Sequence, residues 1–140
     1  MRYLGLDLGT KTLGVSLSDT TLTIASSLKT IFFEEENYIS LMEELKTIVY
    51  EYQISKIVLG LPKNMNNSVG PRGETTLQFK ELLEQNLDLE VVMQDERLST
   101  VEATHYLIEG NMSRKKRKKH VDSLAAVIIL QTYLNKERRK

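Results

Sequence analysis

The sequence contains no cysteine, and this absence excludes disulfides, thiolate nucleophiles and thiolate zinc sites. No apolar run approaches the roughly 20 residues that a helix needs to cross a bilayer, and the N-terminus lacks the layout of a signal peptide. The 140 residues, of which 41% are hydrophobic and 27% charged, are typical of a single globular domain spanning residues 1–140. These features together predict a cytoplasmic protein.

The chain also has no net charge, but its charges are unevenly distributed. Residues 1–110 hold 9 Lys/Arg against 17 Asp/Glu, and residues 111–140 hold 10 against 2. Most of the excess lies in a basic run, which consists of Arg114, Lys115, Lys116, Arg117, Lys118 and Lys119. This segregation favours a surface that binds a polyanion, although a charge run can also be a solvated tether.

The first residues predict a β-hairpin, because alternating runs over residues 3–8 and 12–18 flank the turn Gly9-Thr10-Lys11. Alternation places Asp7 and Gly5 on the face opposite the leucines of the first strand. A carboxylate in so apolar a strand is costly unless it pairs with a cation, for example Lys11 or Arg97, or binds a metal. Gly5 lacks a side chain and is expected to leave room for a ligand beside Asp7.

The remaining pattern predicts alternating strands and helices. In chain order these are a strand over 22–31, a helix over 38–52, a buried strand over 54–60, a turn-rich loop over 61–73, a helix over 74–85 with Leu77, Leu82 and Leu83 inward, a strand over 89–93, a helix over 99–109 and, after the basic run, a helix over 121–135. The fold class is therefore α/β, with a mixed five-stranded sheet whose first three strands are antiparallel and with helices on both faces.

Three carboxylates fall where burial is expected: Asp7 in the first strand, Glu96 just past the fifth strand, and Asp122 at the start of the last helix. Sites in α/β sheets form beyond the strand ends, so these acids can meet in one cleft. Three carboxylates in one cleft repel unless cations neutralise them, and hard oxygen ligands suit Mg²⁺ or Mn²⁺. Two such ions can promote hydrolysis of a phosphodiester. Alternatively, Asp122 caps the helix, and Glu96 is an ordinary loop acid like Asp95 beside it.

Four motifs resemble those of the bacterial YqgF family, also called RuvX. They are residues 5–11 (GLDLGTK), 60–65 (GLPKNM), 95–100 (DERLST) and 121–126 (VDSLAA). The resemblance implies an RNase H-like fold related to Holliday junction resolvases, and an endonuclease that matures the 5′ end of precursor 16S ribosomal RNA. It further implies that Asp7, Glu96 and Asp122 hold the metal beside the scissile phosphate. Residues 62–72 would form a mobile flap, and the candidates for phosphate contacts are Lys11, Lys63, Asn64, Arg72 and Arg97.

The expected function is a metal-dependent endonuclease acting on precursor ribosomal RNA, with the ribosome as a candidate partner. Branched DNA is the alternative substrate, as for a Holliday junction resolvase. Two other classes stay open: an actin-like or sugar-kinase ATPase, which opens with a similar hairpin but needs two such domains, and a non-catalytic nucleic-acid-binding ribosome-assembly factor.

Overall fold

A computed structural model describes the backbone of residues 1–61, 70–95 and 114–138, and the side chains of these ranges except those of residues 71, 72, 95, 114–123 and 138. The elements are β1 (Arg2–Leu8), β2 (Thr12–Ser18), β3 (Ala25–Phe32), α1 (Ser40–Tyr52), β4 (Ile54–Leu61), α2 (Pro71–Leu87), β5 (Glu90–Asp95) and α3 (Arg114–Arg138). None of the helices within these ranges is both long and apolar enough to cross a membrane.

The five strands form one sheet in the order β3-β2-β1-β4-β5. Strands β1, β2 and β3 are antiparallel neighbours, whereas β4 and β5 run parallel to β1. The carboxyl ends of β1, β4 and β5 therefore lie together at one edge of the sheet, which we call the carboxyl edge. The predicted α/β class and the mixed five-stranded sheet are confirmed.

One face of the sheet holds most of the core, and we call it the apolar face. Leu4, Leu6 and Leu8 of β1 point into it and are at most 4% exposed. Helices α1 and α2 cover this face, with Phe79 and Leu83 of α2 fully buried. The prediction that Leu77 faces inward is wrong: this residue is 41% exposed, because the inward stripe of α2 runs through Phe79 and Leu83 instead.

The other face of β1 carries Tyr3, Gly5 and Asp7 and is covered by α3, so we call it the α3 face. Helices therefore lie on both faces, as predicted. The smaller core cluster here joins Val58 of β4 to Ile129, Leu130 and Leu134 of α3.

Helix α3 begins at Arg114, seven residues before the predicted start at residue 121. The apolar period that predicted the helix disappears in the basic run, but Lys and Arg are good helix formers and continue it. The basic run is thus helical in its backbone and not an irregular tether. Asp122 lies in the third turn of α3, so the alternative that it caps the helix is also wrong.

The bounds of two other elements differ from the prediction in ways that affect the site. Helix α2 begins at Pro71, since proline fits the first helical position, so Arg72 lies in its first turn rather than in a flap. Strand β5 extends to Asp95, two residues beyond the predicted end and directly before Glu96 in the chain. Residues 62–69 of the predicted flap and the predicted helix over 99–109 lie outside the described residues.

Candidate functional site

Side chains on the α3 face form three rows that cross the sheet, and the strand registers define them. The first row contains Tyr3, Ser18, Lys56 and Glu90, the second contains Gly5, Ser16, Val58 and Val92, and the third contains Asp7 with Gly14, Thr30, Gly60 and Gln94. The third row is nearest the carboxyl edge. Each row has a different chemical character.

Asp7 has a glycine on each side of it in the third row. The register pairs Asp7 with Gly14 of β2, and the parallel pairing of Leu6 with Leu59 places Gly60 of β4 level with Asp7 on its other side. Adjacent strands are about 4.8 Å apart, so the row from Gly14 of β2 through Asp7 to Gly60 of β4 is about 10 Å long. Among these three described positions, Asp7 alone has a side chain. The row thus gives a half-buried carboxylate lateral space that large neighbours would fill.

The second row brings α3 close to the sheet. A Cβ atom at Gly5 would lie 2.8 Å from Cβ of Leu130 and 3.0 Å from the carbonyl oxygen of Ala126, and it would also overlap Oγ of Ser16. The expectation that Gly5 leaves room for a ligand is therefore wrong, because α3 occupies that room. Gly5 is the residue that lets α3 approach β1.

Two polar anchors fix α3 on this face. The Ser16 hydroxyl, which is fully buried, donates a hydrogen bond of 2.8 Å to the Ala126 carbonyl. Further along the helix, the Gln131 side chain accepts from the backbone N–H of Ala25 at 2.9 Å and donates to the carbonyl of Thr23 at 3.0 Å. These contacts join α3 to β2 and to the segment that enters β3.

The first row closes the opposite end of the face around Lys56. Its Nζ donates to the Tyr133 hydroxyl at 3.1 Å and lies 3.4 Å from Glu137, 3.7 Å from Glu90 and 5.0 Å from the Tyr3 ring centre. Partial burial opposes the charge of Lys56, but the hydrogen bond with Tyr133 and the neighbouring charges outweigh it and raise the pKa of Lys56. These contacts of Lys56 with Tyr133 and Glu137 hold the carboxyl-terminal part of α3 on the sheet.

These anchors make α3 run antiparallel to β1. We therefore expect the amino-terminal part of α3 to lie toward Asp7. Tyr3 contacts Tyr133 with ring centres 6.1 Å apart, and Gly5 lies beneath Leu130 and Ala126. Two residues further along β1, about 7 Å, is Asp7, and one turn before Ala126, about 6 Å, is residue 122. From these spacings we expect the backbone at Asp122 to lie near the level of Asp7. The basic run precedes it by one to two further turns and extends beyond the end of β1.

The described residues contain part of the predicted site. Asp7 and the exposed Lys11 lie at the carboxyl edge, and the backbones of Arg72, Asp122 and the basic run are helical. Glu96, Lys63, Asn64 and Arg97 lie outside the described residues. Within the described part of the chain, no three His, Asp or Glu side chains group to hold a metal.

Sequence patterns did not reveal the third row as a unit. Gly14 and Gly60 are glycines inside strands, a signal for close approach or open space, but only the register shows that both flank Asp7. The patterns also did not indicate Gln94, which is 7% exposed and lies on the same face two strands from Asp7.

The family model described as "RuvX: Holliday junction resolvase" matches residues 1–136. A protein of Bacillus cytotoxicus named "Putative pre-16S rRNA nuclease" is 51% identical over 135 residues, covering 96% of this chain and 98% of its own length. A protein of the same name from Caldanaerobacter subterraneus subsp. tengcongensis is 49% identical over 139 residues, covering 99% of both chains.

Among solved structures, the chain resembles RuvC of T. thermophilus in complex with a Holliday junction substrate. The TM-score is 0.63 at 11% identity, and the match covers 99% of this chain and 96% of that one. At this identity the likeness establishes the fold, so the RNase H-like prediction is confirmed.

Proposed function

Because this chain belongs to the RuvX family, we propose that it is a metal-dependent endonuclease that hydrolyses a phosphodiester bond near the 5′ end of precursor 16S ribosomal RNA. The observation that supports this proposal is the packing of α3 on β1, where Gly5 lies against Ala126 and Leu130 and Tyr3 against Tyr133, because continuing both elements brings residue 122 toward Asp7. Asp95, the residue before Glu96 in the chain, ends β5 at the carboxyl edge. The names of the relatives supply the substrate, and the predicted cytoplasmic location belongs to the same proposal.

The residues at Asp7 suit a hard divalent cation. A carboxylate oxygen is the ligand type that Mg²⁺ and Mn²⁺ prefer, and the glycines beside Asp7 leave space that a large side chain would fill. In the proposal, Asp7, Glu96 and Asp122 hold the cation. When bound, Mg²⁺ or Mn²⁺ supplies activation of water and stabilisation of the leaving oxygen.

The chain itself contributes position and charge. Ser16 and Gln131 anchor α3, the helix that carries Asp122, to β2 and to the start of β3. Lys11 at the hairpin turn and the basic run at the start of α3 offer cations to the phosphates on either side of the scissile bond. A polyanion would thus be held across the carboxyl edge.

The test is cleavage of precursor 16S ribosomal RNA with Mn²⁺ by wild type, Asp7→Asn and Asp122→Asn. Both variants should lose cleavage while remaining folded, because each change removes one charge and no volume. Asp88→Asn is the matched control, since Asp88 is exposed after α2 and its left-handed backbone tolerates asparagine. Cleavage by both site variants at the wild-type rate would rule out this site.

Branched DNA is the second candidate substrate, and the family description and the likeness to RuvC favour it. The same preparations should be offered a four-way DNA junction at equal concentration. Faster cleavage of the junction would replace RNA by DNA in the proposal. Family membership favours a nuclease, on either substrate, over the actin-like ATPase. If the protein is instead a binding factor without catalysis, the wild type should cut neither substrate.

The basic run has a test of its own. Replacing Arg114, Lys115, Lys116, Arg117, Lys118 and Lys119 by glutamine should weaken RNA binding and flatten its salt dependence. Each phosphate that the protein no longer neutralises removes about 0.7 to 0.9 from the slope of log K against log salt. An unchanged slope would remove the basic run from the binding surface.

A further inference from the structure

Phe32 is a large aromatic side chain left in solvent at the carboxyl edge. It is the last residue of β3 and 77% exposed. The next residue, Phe33, is half-buried and packs against Tyr38 with ring centres 5.6 Å apart. Among the described residues, none of the ring contacts includes Phe32. Packing within the described fold therefore does not account for an aromatic residue at this position.

The register places Phe32 on the same face as Asp7. Phe32 pairs with Thr12, and Thr30, two residues earlier on β3, pairs with Gly14 in the row of Asp7. Two strand spacings and two residues separate the Cα atoms of Phe32 and Asp7, a distance of about 12 Å. A nucleotide next to the scissile phosphate lies within such a distance.

The charges around Phe32 define what it can contact. The exposed Lys11 is on the neighbouring segment, and its carbonyl accepts a 3.0 Å hydrogen bond from the N–H of Phe33, the residue after Phe32. The exposed acids Glu34, Glu35 and Glu36, which repel phosphates, follow in the chain. An uncharged and exposed aromatic ring on the face of Asp7 suits the face of a base, and the cation of Lys11 is available to a phosphate of the same strand.

We propose that the ring of Phe32 stacks on one unpaired base of the substrate. This base belongs to a nucleotide next to the scissile phosphate, on the side of the cut where the strand passes Lys11. This inference rests on the proposed nuclease function and narrows it to substrates with an unpaired nucleotide beside the scissile bond. Single-stranded RNA is commonly bound in this way, because every base offers a face to an aromatic side chain.

The experiment measures binding of a single-stranded RNA that carries 2-aminopurine at one position, moved in steps along the strand, in EDTA so that no cleavage occurs. Stacking on Phe32 should quench the fluorophore at one position only. Phe32→Ala should abolish that quenching and weaken binding about tenfold, whereas Phe32→Trp should retain both. Tyr50→Ala is the matched control, because Tyr50 is 86% exposed on α1 over the apolar face.

The outcomes separate this inference from the function on which it rests. Wild type that neither binds nor cuts RNA would overturn the proposed function. Wild type that cuts RNA while Phe32→Ala behaves like Tyr50→Ala would overturn the stacking on Phe32 alone, and so would Phe32→Leu that retains full quenching, because leucine lacks a ring. Unchanged RNA binding in Phe32→Ala is also the result expected if Phe32 instead contacts another protein.

Discussion

The two faces of the sheet differ although the same strands build both. On β1, Leu4, Leu6 and Leu8 point into a large apolar core. On the opposite face, Tyr3 packs against α3, Gly5 allows α3 to approach closely, and Asp7 lies in the candidate site. The alternation of a single strand thus places the larger core on one face and the candidate site on the other. Changes on the two faces should therefore have separable effects.

Leu6→Ala should have the largest effect on stability, since Leu6 is fully buried on the apolar face. The expected loss in free energy of unfolding is about 2–5 kcal/mol, from lost burial and the cavity that remains. Urea unfolding measures it, and Leu77→Ala at an exposed position is the control. The neighbouring Asp7→Asn keeps the side-chain volume and should cost less stability, and a loss equal to that of Leu6→Ala would contradict the division between faces.

Gly5→Ala should affect both stability and cleavage, because the close approach of α3 at Gly5 supports the packing of the α3 face and the position of α3 near the candidate site. The added Cβ meets Leu130 and the backbone of Ala126, so α3 must move away from β1 at a cost of about 1–3 kcal/mol. The displacement should also separate Asp122 from Asp7 and reduce cleavage of folded protein. Urea unfolding and cleavage at a temperature where the variant is folded test both, and full activity would contradict the role of close approach.

Ser16→Ala should show a smaller effect of the same kind. It leaves the Ala126 carbonyl without the Ser16 hydroxyl and should cost about 1 kcal/mol. The exposed Ser26→Ala on β3 is its control and should be close to neutral. Equal unfolding midpoints for the two variants would show that the Ser16 anchor does not stabilise α3.

The smallest effect is expected at Asp19, an exposed acid in the turn between β2 and β3. Hydrogen bonds from the Thr21 hydroxyl and from the N–H groups of Ile24 and Thr23 lower the pKa of Asp19 to about 2. A lowered pKa in the folded state stabilises the protein above the unfolded pKa of about 3.9, and this contribution is lost as the pH falls toward 2. Asp19→Asn should reduce the pH dependence of unfolding in that window and leave cleavage unchanged. An NMR titration of Asp19 with a midpoint near 4 would contradict it.

Local patterns were sufficient to predict most elements of the fold. The alternation around Gly9-Thr10-Lys11 predicted the hairpin, and apolar periods predicted α1, α2 and the apolar part of α3. The start of α3 was missed because charged residues carry no apolar period. Strand β3 begins at Ala25 and not at residue 22 as predicted. The Asp19 carboxylate accepts hydrogen bonds from the N–H groups of Thr23 and Ile24, which would otherwise be available for strand pairing.

The site could be predicted only in part, because its geometry depends on contacts between distant segments. Asp7 was identified by its polarity in an apolar strand. The function of Gly5 was misjudged, since no local pattern shows that Leu130, 125 positions away, occupies the adjacent space. The glycines beside Asp7 likewise gain their meaning from the strand register and not from their own neighbours in sequence.

The order in which α3 is made has a consequence for the cell. The strand that carries Asp7 leaves the ribosome first, but the face around it stays uncovered until the segment from Ala126 to Tyr133 has emerged and docked on Ser16, Ala25 and Lys56. If Asp122 is required, a nascent chain holds an incomplete site throughout most of its synthesis. The α3 face is thus completed by contacts between the first 60 residues and the last helix of the described chain.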